Sequence, residues 1–185
     1  MSIVDTFDTI CRNAAPLVDA ADTRRSIPTP NTDFDAGALV SHMLCVLDGA
    51  AARVAGGQGQ HDPNDPPDRP ADLSAQFRAS ASAAATAFRA EGALDSTVMG
   101  PVGEMTGEML LHFPMFDLFV HTWDLAQALE TTADYPDEIV TYIRAWAERT
   151  LAHDRPPFID PAVAPPAGAS AMDELAAFTG RHPLR

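Results

Sequence analysis

Lysine is absent from the whole chain of 185 residues, so all 12 cationic side chains are arginines, set against 26 Asp and Glu for a formal charge of -14. Such a chain has no basic stripe able to release counterions from a phosphate backbone, which argues against nucleic acid as a partner. The same deficit argues against an anionic membrane surface. Cysteine is scarce as well. Cys11 and Cys45 are too few and too far apart for a disulfide framework, and they read as buried thiols. No stretch approaches the roughly 18 apolar residues of a transmembrane helix. The N-terminal residues carry Asp5 and Asp8 where a secretory leader would be basic and then apolar. A soluble cytoplasmic protein is the expectation.

What the chain does have is alanine, 33 residues of it, and a strong helical period. Ile3, Val4, Phe7, Ile10, Cys11, Ala14, Leu17 and Val18 fall at i, i+3, i+4, i+7, the mark of an amphipathic helix over 3–21. The breaker cluster Ser26 to Asp33 follows, and Thr32 or Asp33 is a natural cap for a second helix reaching about Val54. Gly56-Gly57-Gln58-Gly59 stops that helix and opens a loop to Pro70. A third, Ala-rich helix is expected over 71–90. Residues 97–105 read as a short extended segment or hairpin. A fourth helix covers about 108–130, with Pro114 either kinking it or lying in its first turn. A fifth opens at Tyr135-Pro136-Asp137-Glu138 and reaches about Ala152. The Pro-rich stretch 156–169 is irregular, and a last short helix over 171–179 ends at Gly180. No repeat occurs and the core pattern never restarts, so one domain over residues 1–185 is expected. The periodicity gives an all-α helix bundle with a short hairpin near 95–106.

Chemistry is most legible on the fourth helix. Asp117 and His121 stand at i and i+4 and therefore share one face, and Asp124 follows seven residues after Asp117. Leu118, Phe119, Val120, Trp123 and Leu125 surround them, so this helix is apolar nearly all round and belongs at the centre of its domain. A buried carboxylate and imidazole need partners. Two solutions are open: a closed Asp–His hydrogen bond, or a metal. His42 lies between Ala38, Leu39, Cys45 and Val46 on an equally apolar face. It is either a core histidine bonded to a carbonyl or a third ligand. Two imidazoles and one carboxylate are the protein ligand count of a catalytic zinc or non-haem iron site. His112 is half a turn out of phase with His121, and Cys45 reads better as a core thiol. His61, His153 and His182 sit in polar, Pro-rich or terminal settings and read as surface residues. The Gly-rich run has no preceding strand, which argues against a phosphate cradle, and no G-x-S-x-G elbow occurs.

Pro28-Thr29-Pro30, Leu39-Val40-Ser41-His42, Gly103-Glu104-Met105-Thr106-Gly107 and the run Asp117 to Ala126 together resemble an actinobacterial metal-binding family. That family belongs to the DinB/YfiT-like superfamily and is close to the N-terminal domain of mycothiol-dependent maleylpyruvate isomerase. The D-x-x-x-H-x-W-D-L-A run is the most specific piece, and the tail from Phe158 to Gly180 extends the likeness over nearly the whole chain.

The resemblance implies a DinB-like four-helix bundle holding a divalent metal, usually zinc, with Ni2+ or Fe2+ as alternatives. By position its ligands are His42, Asp117 and His121, with Asp124 supporting a ligand imidazole. Many DinB-like proteins use three histidines, whereas Asp117 takes one of those places here. No segment corresponds to the isomerase's second domain, so its substrate specificity is not expected to transfer. Two functions are then in play. One is a metal-dependent isomerase or S-transferase using a low-molecular-weight thiol such as mycothiol and a small electrophile. The other is a metal-binding sensor or stress-response protein without turnover, which a fourth ligand from Cys45 or His112 would favour. A homodimer is the assembly the resemblance suggests.

Overall fold

Serine caps the first helix through a reciprocal pair of hydrogen bonds: Ser2 Oγ accepts from the Asp5 N–H and the Asp5 carboxylate accepts from the Ser2 N–H. In this computed structural model, which describes residues 2–67, 71–151 and 159–183, the helix so opened is α1 (Ile3–Asp22). It is followed by α2 (Ala36–Val54), α3 (Leu73–Arg89), the strands β1 (Thr97–Gly100) and β2 (Gly103–Thr106), then α4 (Gly107–Ala128), α5 (Asp137–Leu151) and α6 (Ala171–Phe178). The two strands form an antiparallel hairpin with Val98 opposite Met105. His153, Ala152 and the start of the Pro-rich stretch lie outside the described residues.

Helices α1 to α4 make the bundle. Around it the neighbours run α1, α3, α2, α4: α3 packs on both α1 and α2, and α4 does the same from the opposite side. One apolar core results, with Phe7 of α1, Leu39 and Met43 of α2, Phe77 and Phe88 of α3 and Phe119 of α4 fully out of water. Each such side chain contributes about 1.5–3 kcal/mol by burial. Helix α4 also receives the hairpin, α5 and α6. It is buried without a break from Leu118 to Ala126, which is why its sequence shows no polar face.

Three expectations change here. The cap of α2 is Asp35, whose side chain accepts from the Ala38 N–H, rather than Thr32 or Asp33. Residues 28–35 close on themselves first: Pro28 bridges Asp35, and the Thr29 hydroxyl donates to the carbonyls of Asn31 and Phe34. Pro114 lies well inside α4, past its first turn. Finally, α2 is apolar enough by length and composition to pass for a membrane span, with a mean hydropathy of 1.3. Two thirds of that window, 67%, is buried inside the bundle, as suits a core helix.

Two tertiary ties hold the C-terminal segment against α4. The indole N–H of Trp123 donates to Asp173 Oδ1 at 2.8 Å, and Asp173 also closes the capping box of α6 with Ser170. One carboxylate thus starts α6 and fastens it to α4. At the far end of α6, Gly180 adopts φ +85°. A side chain there would meet Asp160 Cβ at 2.5 Å, so glycine is required by both conformation and space. The chain reverses at this point and returns Arg181 to the bundle.

Gly107 opens α4 in a conformation any residue can adopt, yet a Cβ on it would lie 2.0 Å from the Ala93 carbonyl oxygen. That contact is with backbone, so the chain itself has to move. Gly107→Ala is expected to lower stability by about 1–3 kcal/mol, read as the urea midpoint; an unchanged midpoint would show that the 93–107 junction yields freely.

Candidate metal centre

The bundle brings together three side chains drawn from two helices. His42 of α2 and Asp117 and His121 of α4 each offer a donor atom, and the three atoms lie within 4.8 Å of one another. His42 Nε2 is 3.1 Å from Asp117 Oδ1 and His121 Nε2 is 3.4 Å from the same oxygen. The two rings stand edge to face, 4.7 Å between centroids at 81°. Donor atoms on a tetrahedral zinc stand roughly 3.3 Å apart, given bonds of about 2.0–2.1 Å, so both spacings fit such an ion.

Each imidazole is fixed through its other nitrogen. His42 Nδ1 faces the Pro63 carbonyl at 2.8 Å, and a carbonyl only accepts, so Nδ1 carries hydrogen. Phe34 covers the same ring at 5.2 Å. His121 Nδ1 donates to Asp124 Oδ2 at 2.9 Å. Asp124 is 0% exposed, and Arg181 Nε reaches its two oxygens at 3.1 and 3.0 Å. The order Arg181, Asp124, His121 is therefore a chain of alternating charge ending on a ring whose Nε2 points at Asp117. It is the outer support that ligand histidines characteristically have. The carbonyl bond expected of a core His42 is present, and it leaves Nε2 free for a second partner.

With both Nδ1 atoms protonated, two Nε2 lone pairs and a carboxylate converge on one point. That arrangement is repulsive unless positive charge lies among them, as protons or as a cation. Asp117 Oδ2 sharpens the demand, being out of solvent contact and without a hydrogen-bond partner among the described residues. Burial pushes the Asp117 carboxyl up, but the charges and hydrogen bonds of His121 and His42 outweigh it and hold the group well below the usual range. Burial likewise opposes charge on His121, and Asp117 and Asp124 overcome it, raising that imidazole to about 9. Without metal, a proton shared with these two acids occupies the site at neutral pH.

The other candidates go elsewhere. His112 Nδ1 faces the Glu108 carbonyl at 2.9 Å and Nε2 meets the Tyr142 hydroxyl at 2.6 Å, while the ring stacks on Trp146 at 5.3 Å. Cys45 is buried and lines the same cavity as Asp117 and His121 but is not among the convergent donors. His61 and His182 are exposed. Asp124 meets the opposite nitrogen of His121 from Asp117, and Arg181 beyond it, so it is not among the convergent donors despite its near alignment with Asp117 along α4. Sequence reasoning gave no sign of Pro63 or Arg181. Both act from loops, where no period marks a functional residue.

A cavity of about 340 Å³ opens over Asp117 and His121. Its walls are apolar, formed chiefly by Leu110, Phe113, Phe116, Val120 and Ile159, and Arg53, Asn64 and Arg181 supply polar groups. A buried donor cluster at the base of a small apolar cavity is the arrangement expected of a ligand site with a reactive end.

Residues 7–126 match the mycothiol maleylpyruvate isomerase N-terminal domain family, a span that includes all three convergent residues and Asp124. The chain belongs to this family. Two uncharacterized proteins of Mycobacterium tuberculosis, one from strain CDC 1551 / Oshkosh and one from strain ATCC 25618 / H37Rv, are each 32% identical to it over 177 residues. The matched segment is 91% of this chain and 91% of theirs. Among solved structures, a histidine-to-alanine mutant of mycothiol-dependent maleylpyruvate isomerase superposes with a TM-score of 0.61 at 12% identity. It covers 79% of this chain and 69% of that one. The shared fold is the DinB-like bundle. Arg181 falls beyond the matched residues, so its tie to Asp124 comes from outside the span that defines the isomerase N-terminal domain here.

The raised His121 value fixes a pH dependence for the metal-free protein. Its stabilising contribution is complete below about pH 6.5 and is lost as pH rises through about 9. Denaturation midpoints measured without metal should fall across that window. Asp117→Asn, which removes one charge holding the proton, should flatten the decline; an equally steep decline in the variant would remove Asp117 as its cause.

Proposed function

We propose that this protein binds one divalent metal through His42 Nε2, Asp117 and His121 Nε2, and that it is a thiol-dependent isomerase or S-transferase. The observation that carries this reading is the convergence of two fixed Nε2 lone pairs and an orphaned carboxylate oxygen beside an open cavity. Zinc suits the mixed nitrogen and oxygen donor set, with Ni2+ and Fe2+ as alternatives. Three protein ligands suit a catalytic ion, since structural zinc takes four. The placement of His112 on Tyr142, and of Cys45 outside the donor set, weighs against the closed site of a sensor.

A zinc-class ion held by His42, Asp117 and His121 would supply one thing here, a lowered thiol pKa that favours the nucleophilic thiolate at neutral pH. The chain's own residues do the rest. Pro63 and Asp124 hold the two imidazoles in the tautomer that presents Nε2. Arg181 sets its guanidinium against both oxygens of Asp124 and so fixes the carboxylate that orients His121. Leu110, Phe113, Phe116 and Val120 exclude water from the space above the donors and accept the apolar part of an electrophile. Mycothiol is the thiol named for the family and for the solved isomerase, and we extend it to this chain on that kinship. A reducing cytoplasm is the compartment this chemistry requires.

Purified protein should hold about one metal per chain by elemental analysis, and His42→Ala and His121→Ala should each lose it. Absence of stoichiometric metal from wild type at neutral pH would sink the reading. Loaded protein should then bind mycothiol by calorimetry and consume a test electrophile in its presence; metal binding with neither would leave the non-catalytic function. Arg181→Ala acts one residue removed from the ligand, and it should weaken metal affinity by roughly 10- to 100-fold while leaving the helical content intact. Unchanged affinity would mean that Asp124 finds its counter-charge elsewhere.

A further inference from the structure

Two guanidinium groups line the cavity above the donors, and they are committed differently. Arg181 is engaged through Nε by Asp124 and through Nη1 by the Thr179 hydroxyl. Arg53, in the last turn of α2, has no hydrogen-bond or ion-pair partner among the described residues. Arg78 meets Asp19, Arg89 meets Asp5 and Asp8, and Arg144 meets Glu148 and Glu174; Arg12, Arg24 and Arg149 meet no carboxylate among the described residues but are exposed, whereas Arg53 is half-buried. A partnerless cation beside the cavity is therefore a feature to explain.

Its seat is built by two glycines. A Cβ on Gly49 would come within 2.7 Å of Arg53 Nη1, and one on Gly59 within 3.3 Å. The two glycines also press on each other, since the Gly59 Cβ would stand 3.2 Å from Gly49 Cα. Neither has a positive φ, so glycine is not needed there for backbone conformation. Their lack of side chains leaves the space that the guanidinium occupies. An arginine at a helix end normally swings into water with its stem over the surface. This one lies in the slot between α2 and the Gly56 to Gly59 loop, beside a cavity otherwise walled by Phe113, Phe116 and Ile159.

We propose that Arg53 recognises a planar carboxylate, so that the cavity selects small ligands with an apolar body and an anionic end. A guanidinium fork matches a carboxylate with two parallel hydrogen bonds. The volume of about 340 Å³ lies at the small end of ligand cavities. The inference deepens the proposed function by naming the class of electrophile, and rests on it only for that role. Binding of the carboxylate itself needs no metal.

The test measures phenylacetate and its neutral match phenylacetamide by calorimetry, on metal-free and on zinc-supplemented protein. Phenylacetate should bind roughly 10- to 100-fold more tightly than phenylacetamide. That preference should vanish in Arg53→Gln and be present without zinc. Gly49→Ala retains the charge but displaces the guanidinium, and it should reduce the preference as well. N-acetylcysteine and its amide, run in parallel, ask whether the carboxylate belongs on the thiol instead.

No binding of phenylacetate by wild type overturns the proposal. So does a preference that survives Arg53→Gln, or one seen only with zinc, which would put the carboxylate on the ion. A preference confined to the N-acetylcysteine pair overturns the assignment to an apolar ligand. Failure of the protein to take up zinc sinks the proposed function but leaves the metal-free comparison intact.

Discussion

A single carboxylate, that of Asp117, sets the conditions that the surrounding structure has to meet. It lies where α2 and α4 face each other, with one oxygen shared between two imidazoles and the other cut off from water and from every donor among the described residues. Removing a charge from water costs several kcal/mol, even after relaxation, unless opposite charge is close and well oriented. Everything around Asp117 supplies or orients that charge. The Pro63 carbonyl and the Asp124 carboxylate turn the two rings so that Nε2 faces inward, and Arg181 is hydrogen-bonded to the fully buried Asp124.

The rigidity of this arrangement comes from the bundle rather than from the polar contacts. Asp117, His121 and Asp124 stand on the one helix that packs on every side, so their backbone spacing is held by Leu118, Phe119, Val120 and Leu125. The tail is held in the same way. Asp173 caps α6 and accepts from Trp123, and Gly180 turns the chain so that Arg181 meets Asp124. A conformational demand at one glycine thus reaches the His121 imidazole through two hydrogen-bonded side chains. Cys45, which shares the cavity, has its thiol pKa pushed up by burial, with the charges of Asp48 and Asp62 adding to the effect, and it lies outside the convergent donor set.

Small residues matter again in the cavity wall, where a large polar group must be seated. Gly49 and Gly59 leave room for the guanidinium of Arg53, and a Cβ on Gly59 would stand 3.2 Å from Gly49 Cα; neither glycine is called for by its own torsions. In the sequence they are a helix interior glycine and part of a loop signal. Only when α2 and the loop are set side by side do they become one slot.

How much could be read in advance depends on the range of the forces involved. Helical period is a property of neighbouring residues, and it placed the six helices to within a few residues. It also put Asp117 and His121 on one face and identified α4 as central, because an i, i+4 pair in an apolar run needs no knowledge of the rest of the chain. The cap of α2 was misplaced because Thr29 and Pro28 fold residues 28–35 into a closure of their own. Period alone left His42 open, as a core histidine or a third ligand, and only the family resemblance set it with Asp117; its approach to Asp117 spans 75 residues and depends on how α2 and α4 cross. Arg181 to Asp124 spans 57 residues. Pro63, Arg181 and the Arg53 slot belong to loops and helix ends, whose sequences carry no period. The sequence by itself therefore determined the helices and the chemistry written along α4. Which distant groups would orient those side chains was decided by packing, because a contact between loop and helix is selected by the whole core and not by any local pattern.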